Sequence, residues 1–158
     1  MAQTATQGSK RAQAERRADV VWEGDVQDGS GNVTAASSGA FTDLAISLPN
    51  RVGEAEGHTS PEELIAAAHA GCYAMALSHA LTGVGNPPER LSVSANVGLD
   101  PKVGGGLEVS FSHLTVRGSV PGLDQARFEE LARRAEQACP ISNALRGNVE
   151  IQLRATLE

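Results

Sequence analysis

The chain has 158 residues, 41% of them hydrophobic and 20% charged, enough for one domain with a real core and too few for a second full domain. A formal charge of −6 and few aromatic rings (three Phe, one Tyr, one Trp) argue against a basic, stacking surface, so no nucleic-acid partner is expected. Residues 1–19 mix Lys10, Arg11, Arg16 and Arg17 with small and polar residues and hold no apolar run, unlike a secretory signal. The expected organisation is a flexible polar tail over residues 1–17 and a single domain over residues 18–158.

Residues 18–26, with Val20, Val21 and Trp22, read as a strand that turns at Asp28-Gly29-Ser30-Gly31 and returns through Val33. Residues 41–48 place Leu44, Ile46 and Leu48 on one side of a period-two pattern. Pro49-Asn50 then ends that strand in a loop carrying Arg51 and running through Gly53 and Gly57. A helix follows with a well-specified start: Ser60 as N-cap, Pro61 in the first turn and Glu63 completing a capping box, with Gly83 as the stop. The stretch 64–81 is mostly alanine and is interrupted by His69, Ser78 and His79, which predicts a poor membrane span and a good buried helix. Without an export signal or a span, the expected compartment is the cytoplasm, with no membrane partner. Because this helix is apolar almost all round and a single six-stranded layer covers only one face, a homodimer partner is expected to cover the other.

Leu91, Val93, Ala95, Val97 and Leu99 alternate with polar or small residues, the pattern of a half-buried strand, and Gly104-Gly105-Gly106 turns it back. The next strand keeps Leu107, Val109 and Phe111 on odd positions but Leu114, Val116 and Val120 on even ones, which predicts a bulge near Ser112 or His113. Asp124 caps a second helix with Phe128, Leu131, Ala132, Ala135 and Ala138 on one face, and Cys139 extends that face. Pro140 disfavours the helical conformation at Cys139 and starts a short helix over residues 141–145. Val149, Ile151, Leu153, Ala155 and Leu157 form a last strand. Three strands, a helix, two strands, a helix and a strand make an α+β fold, largely antiparallel.

In a reducing compartment Cys72 and Cys139 are more often metal-binding, catalytic or redox-sensing than structural staples. No C-x-x-C or H-x-x-x-H pairing supports a metal, and none is expected. Cys72 lies about three turns inside its helix, beyond the reach of the N-terminal dipole, so a thiolate there needs another source. Arg51 is the candidate cation. Glu62 suits either dipole compensation or an ion pair that orients Arg51, whereas Glu63 reads as the capping-box residue. Glu62 and Cys72 are about 15 Å apart along a straight helix, so a shared site needs Arg51 to span the gap or a residue from a partner chain. His69 reads first as a core histidine bonded to backbone, with a base one turn before Cys72 as the alternative. From pattern alone, two inert buried thiols account for Cys72 and Cys139 as well as a reactive pair does.

Two stretches break that tie. Thr59-Ser-Pro-Glu-Glu-Leu-Ile-Ala-Ala-Ala-His-Ala-Gly-Cys72-Tyr-Ala-Met-Ala-Leu and Ala138-Cys139-Pro-Ile-Ser-Asn-Ala-Leu resemble the two signature regions of the OsmC/Ohr family of osmotically inducible and organic hydroperoxide resistance proteins. Trp22-Glu23-Gly24 and Val120-Pro-Gly-Leu-Asp extend the resemblance, which favours the OsmC branch. The resemblance implies an OsmC-like fold, a mostly antiparallel sheet wrapped around a buried central helix in an intertwined homodimer, with sites at the dimer interface. It implies a thiol-dependent peroxidase in which Cys72 is peroxidatic, Cys139 resolving, Arg51 the activating arginine and Glu62 the residue that holds it. Organic hydroperoxides would be preferred to hydrogen peroxide, with no bound cofactor and an external dithiol, of lipoyl type or another small one, as reductant. The alternative is a redox-responsive binding protein whose cysteines switch ligand or partner affinity without turnover.

Overall fold

The computed structural model describes residues 12–158, so most of the expected tail lies outside the described residues. The chain forms two compact units divided between Thr59 and Ser60.

In the first unit, β1 (Asp19–Glu23), β2 (Ser30–Thr34) and β3 (Leu44–Ile46) form an antiparallel sheet in that order. The hairpin falls where the sequence places it, with Val20 opposite Val33. Its turn is held by the Asp25 carboxylate, which accepts the Gln27 and Asp28 N–H groups at 2.9 Å each. The third strand is shorter than its apolar pattern predicts, because Leu48 already belongs to a short helix, α1 (Leu48–Val52). Ser47 Oγ accepts the Asn50 N–H at 3.3 Å and Pro49 sits in the first turn. The segment read as a loop therefore starts a helix by the same serine and proline chemistry that opens the long one. Arg51 lies in the last turn of α1 and not on a loop.

The second unit contains α2 (Pro61–Gly83), β4 (Arg90–Pro101), β5 (Leu107–Ser119), α3 (Gln125–Ala138), α4 (Pro140–Leu145) and β6 (Glu150–Leu157). Its sheet runs β4-β5-β6, with β4 and β5 antiparallel but β5 and β6 parallel. Two three-stranded sheets thus replace the single six-stranded layer expected. The parallel pairing follows from what joins the strands: α3 and α4 carry the chain back to the start of β5, a crossover that a tight turn cannot supply. Antiparallel pairings still predominate, and the mixed α+β class stands.

The phase change in β5 is present but earlier than expected. Gly98 faces Phe111 and the next pair is Leu99 with Val109, so Ser110 is the extra residue. Beyond it the even positions Ser112, Leu114 and Val116 are buried. Leu114 and Val116 meet Tyr73, Leu77 and Leu81 of α2 and Phe128, Leu131, Ala132 and Ala135 of α3 in one core. Gly118 belongs to this packing by having no side chain, since a Cβ there would lie 2.6 Å from the Phe128 ring.

Ser60 Oγ accepts the Glu63 N–H at 3.1 Å to start α2, and the Asn86 N–H closes the other end on the Leu81 carbonyl at 3.0 Å. Gly85, at φ +84°, makes that reversal in a conformation strained for other residues. Within the chain, α2 buries one stripe, Glu62, His69, Tyr73, Leu77 and Leu81, while Met75 on another face is 69% exposed. By length and composition alone α2 could cross a membrane, with mean hydropathy 1.3 over its most apolar window, a test that a core helix also passes. The alanine content outweighs the interrupting polar residues. One of those, His69, is bonded into the second unit's core.

Candidate active site: two cysteines joined by the first turn of α4

Cys72 faces the core from the middle of α2 and is half-buried, whereas Cys139 is 0% exposed. Cys139 links α3 to α4. At φ −66° and ψ 119° it is extended, as a residue before proline should be. Its N–H donates to the Glu136 carbonyl at 3.2 Å, its carbonyl accepts the Asn143 N–H at 3.0 Å, and its Sγ accepts the Ser142 N–H at 3.5 Å. Though separated by 67 positions of chain, Cys139 lies near enough to Cys72 to raise the pKa of its thiol, and the Ile141 backbone lies near enough to lower it. The first turn of α4 thus adjoins both cysteines, with Ile141 near Cys72 and the Ser142 N–H on the Cys139 sulfur.

Burial pushes the Cys72 thiol above its ordinary pKa, the Cys139 thiol adds to that, and the Ile141 N–H opposes it. This chain's second unit thus favours the neutral thiol at Cys72. The neighbouring Tyr73 is also raised, chiefly by burial, and its hydroxyl donates to the Ala132 carbonyl at 3.1 Å.

His69 lies one turn before Cys72 and is fully buried, but its partners are not backbone groups as expected. Nδ1 is 2.7 Å from Ser112 Oγ on β5, and Nε2 is 2.8 Å from Ser142 Oγ on α4. Burial lowers its pKa, an effect the Glu136 charge opposes. Glu136 is itself buried and meets Arg146 at 2.6 Å, so an ion pair joins the last turn of α3 to the end of α4, on either side of Cys139.

Arg51 belongs to the first unit and Glu62 to the first turn of α2, where it is buried. Sequence reasoning missed Ser112, Ser142, Glu136 and Arg146. For Ser142 the available signal was its place three residues after the capping Cys139, where a backbone N–H meets the cap side chain. Ser112 offered a weaker one, a small polar residue at a core-facing position of β5. Among the described residues no three His, Cys, Asp or Glu side chains gather as a metal-binding set.

Residues 53–154 match the model of the OsmC-like protein family. The chain is 37% identical over 130 residues to peroxiredoxin OsmC of Escherichia coli K12, covering 82% of this chain and 89% of that one. It is also 37% identical over 122 residues to the organic hydroperoxide resistance protein of Xanthomonas axonopodis pv. citri, covering 75% and 82%. Among solved structures, OhrB of Bacillus subtilis superimposes with a TM-score of 0.68 at 30% identity, over 90% of this chain and 98% of that one. An organic hydroperoxide resistance protein OsmC from Legionella pneumophila does so with 0.70 at 27% identity, over 92% and 99%. By sequence and fold alike, the chain belongs to the OsmC family.

Proposed function

We propose that the chain is a thiol-dependent peroxidase that detoxifies organic hydroperoxides, and hydrogen peroxide more weakly, through Cys72 and Cys139. The observation that supports this reading is the nearness of two cysteines 67 positions apart, close enough for Cys139 to act on the Cys72 thiol, with Cys72 the more open of the two. The Cys72 thiolate attacks the distal oxygen of ROOH; the O–O bond breaks, ROH leaves with a proton, and Cys72 becomes a sulfenic acid. Cys139 displaces the sulfenic oxygen as water and forms the disulfide. An external dithiol of lipoyl type then reduces it by exchange and is itself oxidised to a disulfide.

Because burial holds Cys72 as a thiol, this reading requires a cation in the working enzyme. Arg51 is assigned that role and Glu62 the role of orienting it, in an intertwined, cytoplasmic homodimer whose second copy covers the exposed face of α2. Support comes from the names of the relatives and from an apolar helix of which only 22% is buried within one chain.

The test is cumene hydroperoxide reduction with excess dihydrolipoamide. Native protein is expected to turn over repeatedly, Cys72→Ser not at all, and Cys139→Ser for at most one slow cycle. Full activity in Cys72→Ser would end the reading, and native protein that consumes one equivalent and stops would favour a redox-responsive binder.

A further inference from the structure

A buried polar chain with no part in the peroxide chemistry runs up to the turn that holds Cys139: Ser112 of β5, His69 of α2 and Ser142 of α4. Its links join residues 43 and 73 positions apart, so it ties three separate elements at one point. A neutral imidazole donates from one ring nitrogen and accepts at the other, and a serine hydroxyl takes either role, so the chain is satisfied in either tautomer. Its far end is Ser142, whose hydroxyl meets His69 while its backbone N–H meets Cys139 Sγ at 3.5 Å. The preceding residue, Ile141, lies near Cys72.

We propose that His69 is a positioning residue for disulfide closure: anchored on Ser112, it holds the Ser142 hydroxyl and so fixes the first turn of α4, whose Ser142 N–H holds the Cys139 sulfur where it can meet Cys72. The inference rests on the peroxidase reading for its place in a cycle, but its geometry concerns the closing step alone. In that step Cys139 sulfur attacks Cys72 sulfur, the S–S bond forms, and the group on Cys72 departs. From the sulfenic acid, hydroxide leaves and takes the thiol proton as water. From a mixed disulfide, a small thiolate leaves. Either route depends on how often Cys139 occupies the attacking position, and that occupancy is what the His69–Ser142 contact sets. The contact reaches Cys139 directly, through the Ser142 N–H, so its loss acts on closure more than on the oxidation of Cys72.

The experiment separates the two steps in Ser142→Ala, Ser142→Thr and His69→Gln. After a pulse of cumene hydroperoxide, Cys72 sulfenic acid is trapped with dimedone, and the Cys72–Cys139 disulfide is counted by mass spectrometry after alkylation. Ser142→Ala is expected to oxidise Cys72 near the native rate but close the disulfide about tenfold more slowly, the ratio corresponding to one lost hydrogen bond of ordinary strength. Ser142→Thr, which keeps the hydroxyl, is expected to restore closure. His69→Gln is expected to lie between, since its amide reaches only one serine.

Oxidised glutathione supplies a second arm that needs no peroxide: it forms a mixed disulfide on Cys72, and Cys139 then expels glutathione. If the native protein ignores cumene hydroperoxide, the peroxidase reading falls, yet the glutathione arm still measures closure in the same variants. Native-rate closure in Ser142→Ala, with either oxidant, overturns the positioning role. So does slowed closure that Ser142→Thr fails to restore.

Discussion

Cys72 and Cys139 are neighbours, yet they are held in different ways. Cys72 sits in the middle of an uninterrupted helix, half-buried, its backbone fixed by the regular ladder of α2, with Ile141 nearby. Cys139 sits at a break between helices, fully buried, in a frame made by Pro140, the Glu136 carbonyl, the Asn143 and Ser142 amides, and the ion pair of Glu136 with Arg146. One sulfur is placed by secondary structure and left accessible. The other is placed by tertiary structure and closed off. Under the proposed peroxidase reading, the first thiol must meet substrate and needs access, whereas the second must meet only the first and needs position.

Alkylation gives the largest test of that contrast. Iodoacetamide is expected to modify Cys72 in the folded chain about a thousandfold faster than Cys139, because a fully buried sulfur reacts only through an opening that costs several kcal/mol. Mass spectrometry of timed samples would measure both sites, and equal rates would show that the frame around Cys139 opens freely.

Breaking the frame comes next. Arg146→Ala strands Glu136, a buried carboxylate, and is expected to lower stability by about 1–3 kcal/mol in urea unfolding, less than a fully buried pair would lose because Arg146 is itself partly exposed. The same variant should shorten the thousandfold protection of Cys139 while leaving Cys72 unaffected. Pro140→Ala relaxes the frame more gently. It restores freedom to the unfolded chain and to Cys139, and about 0.5–1 kcal/mol of stability should go with it.

How much of this contrast was legible in the sequence follows from the same distinction. Features written in neighbouring residues were readable: the Ser60 and Asp124 caps, the extended residue before Pro140, the alternation of β4 and the helical face of Phe128, Leu131 and Ala135. Cys72 could be placed on its helix for that reason. The frame of Cys139 could not, because Glu136 lies among charged neighbours on an amphipathic helix and reads as surface until Arg146 is seen beside it. His69 was readable as buried, but its serine partners lie on other elements, where periodicity carries no information. The bulge shows a middle case. The phase change in β5 required an extra residue somewhere, but the pairing partner, β4, decided that it was Ser110. Local rules also failed where they were not applied: Ser47 and Pro49 start α1 by the logic used at Ser60, and reading that segment as the end of a strand put Arg51 on a loop.

The smallest effect tests the histidine between the two settings. Burial lowers the His69 pKa in the folded chain below the ordinary value of about 6.5, with Glu136 as the charge that opposes the shift. Between the folded and unfolded pKa values the unfolded chain therefore binds the proton that the folded chain refuses, and stability falls as pH drops through that window. Above about pH 6.5 both states hold the ring neutral and the contribution is fully present. The expected loss is at most about 1.4 kcal/mol per pH unit below that point, measured as urea midpoints between pH 7 and pH 5.5. His69→Gln should remove this part of the slope while leaving the contribution of the carboxylates. A native slope equal to that of His69→Gln would mean that the ring takes up its proton in the core as readily as in water. That would require Ser112 and Ser142 both to turn their hydroxyl oxygens towards it and Glu136 to balance its charge, and the neutral ring assigned here would be wrong.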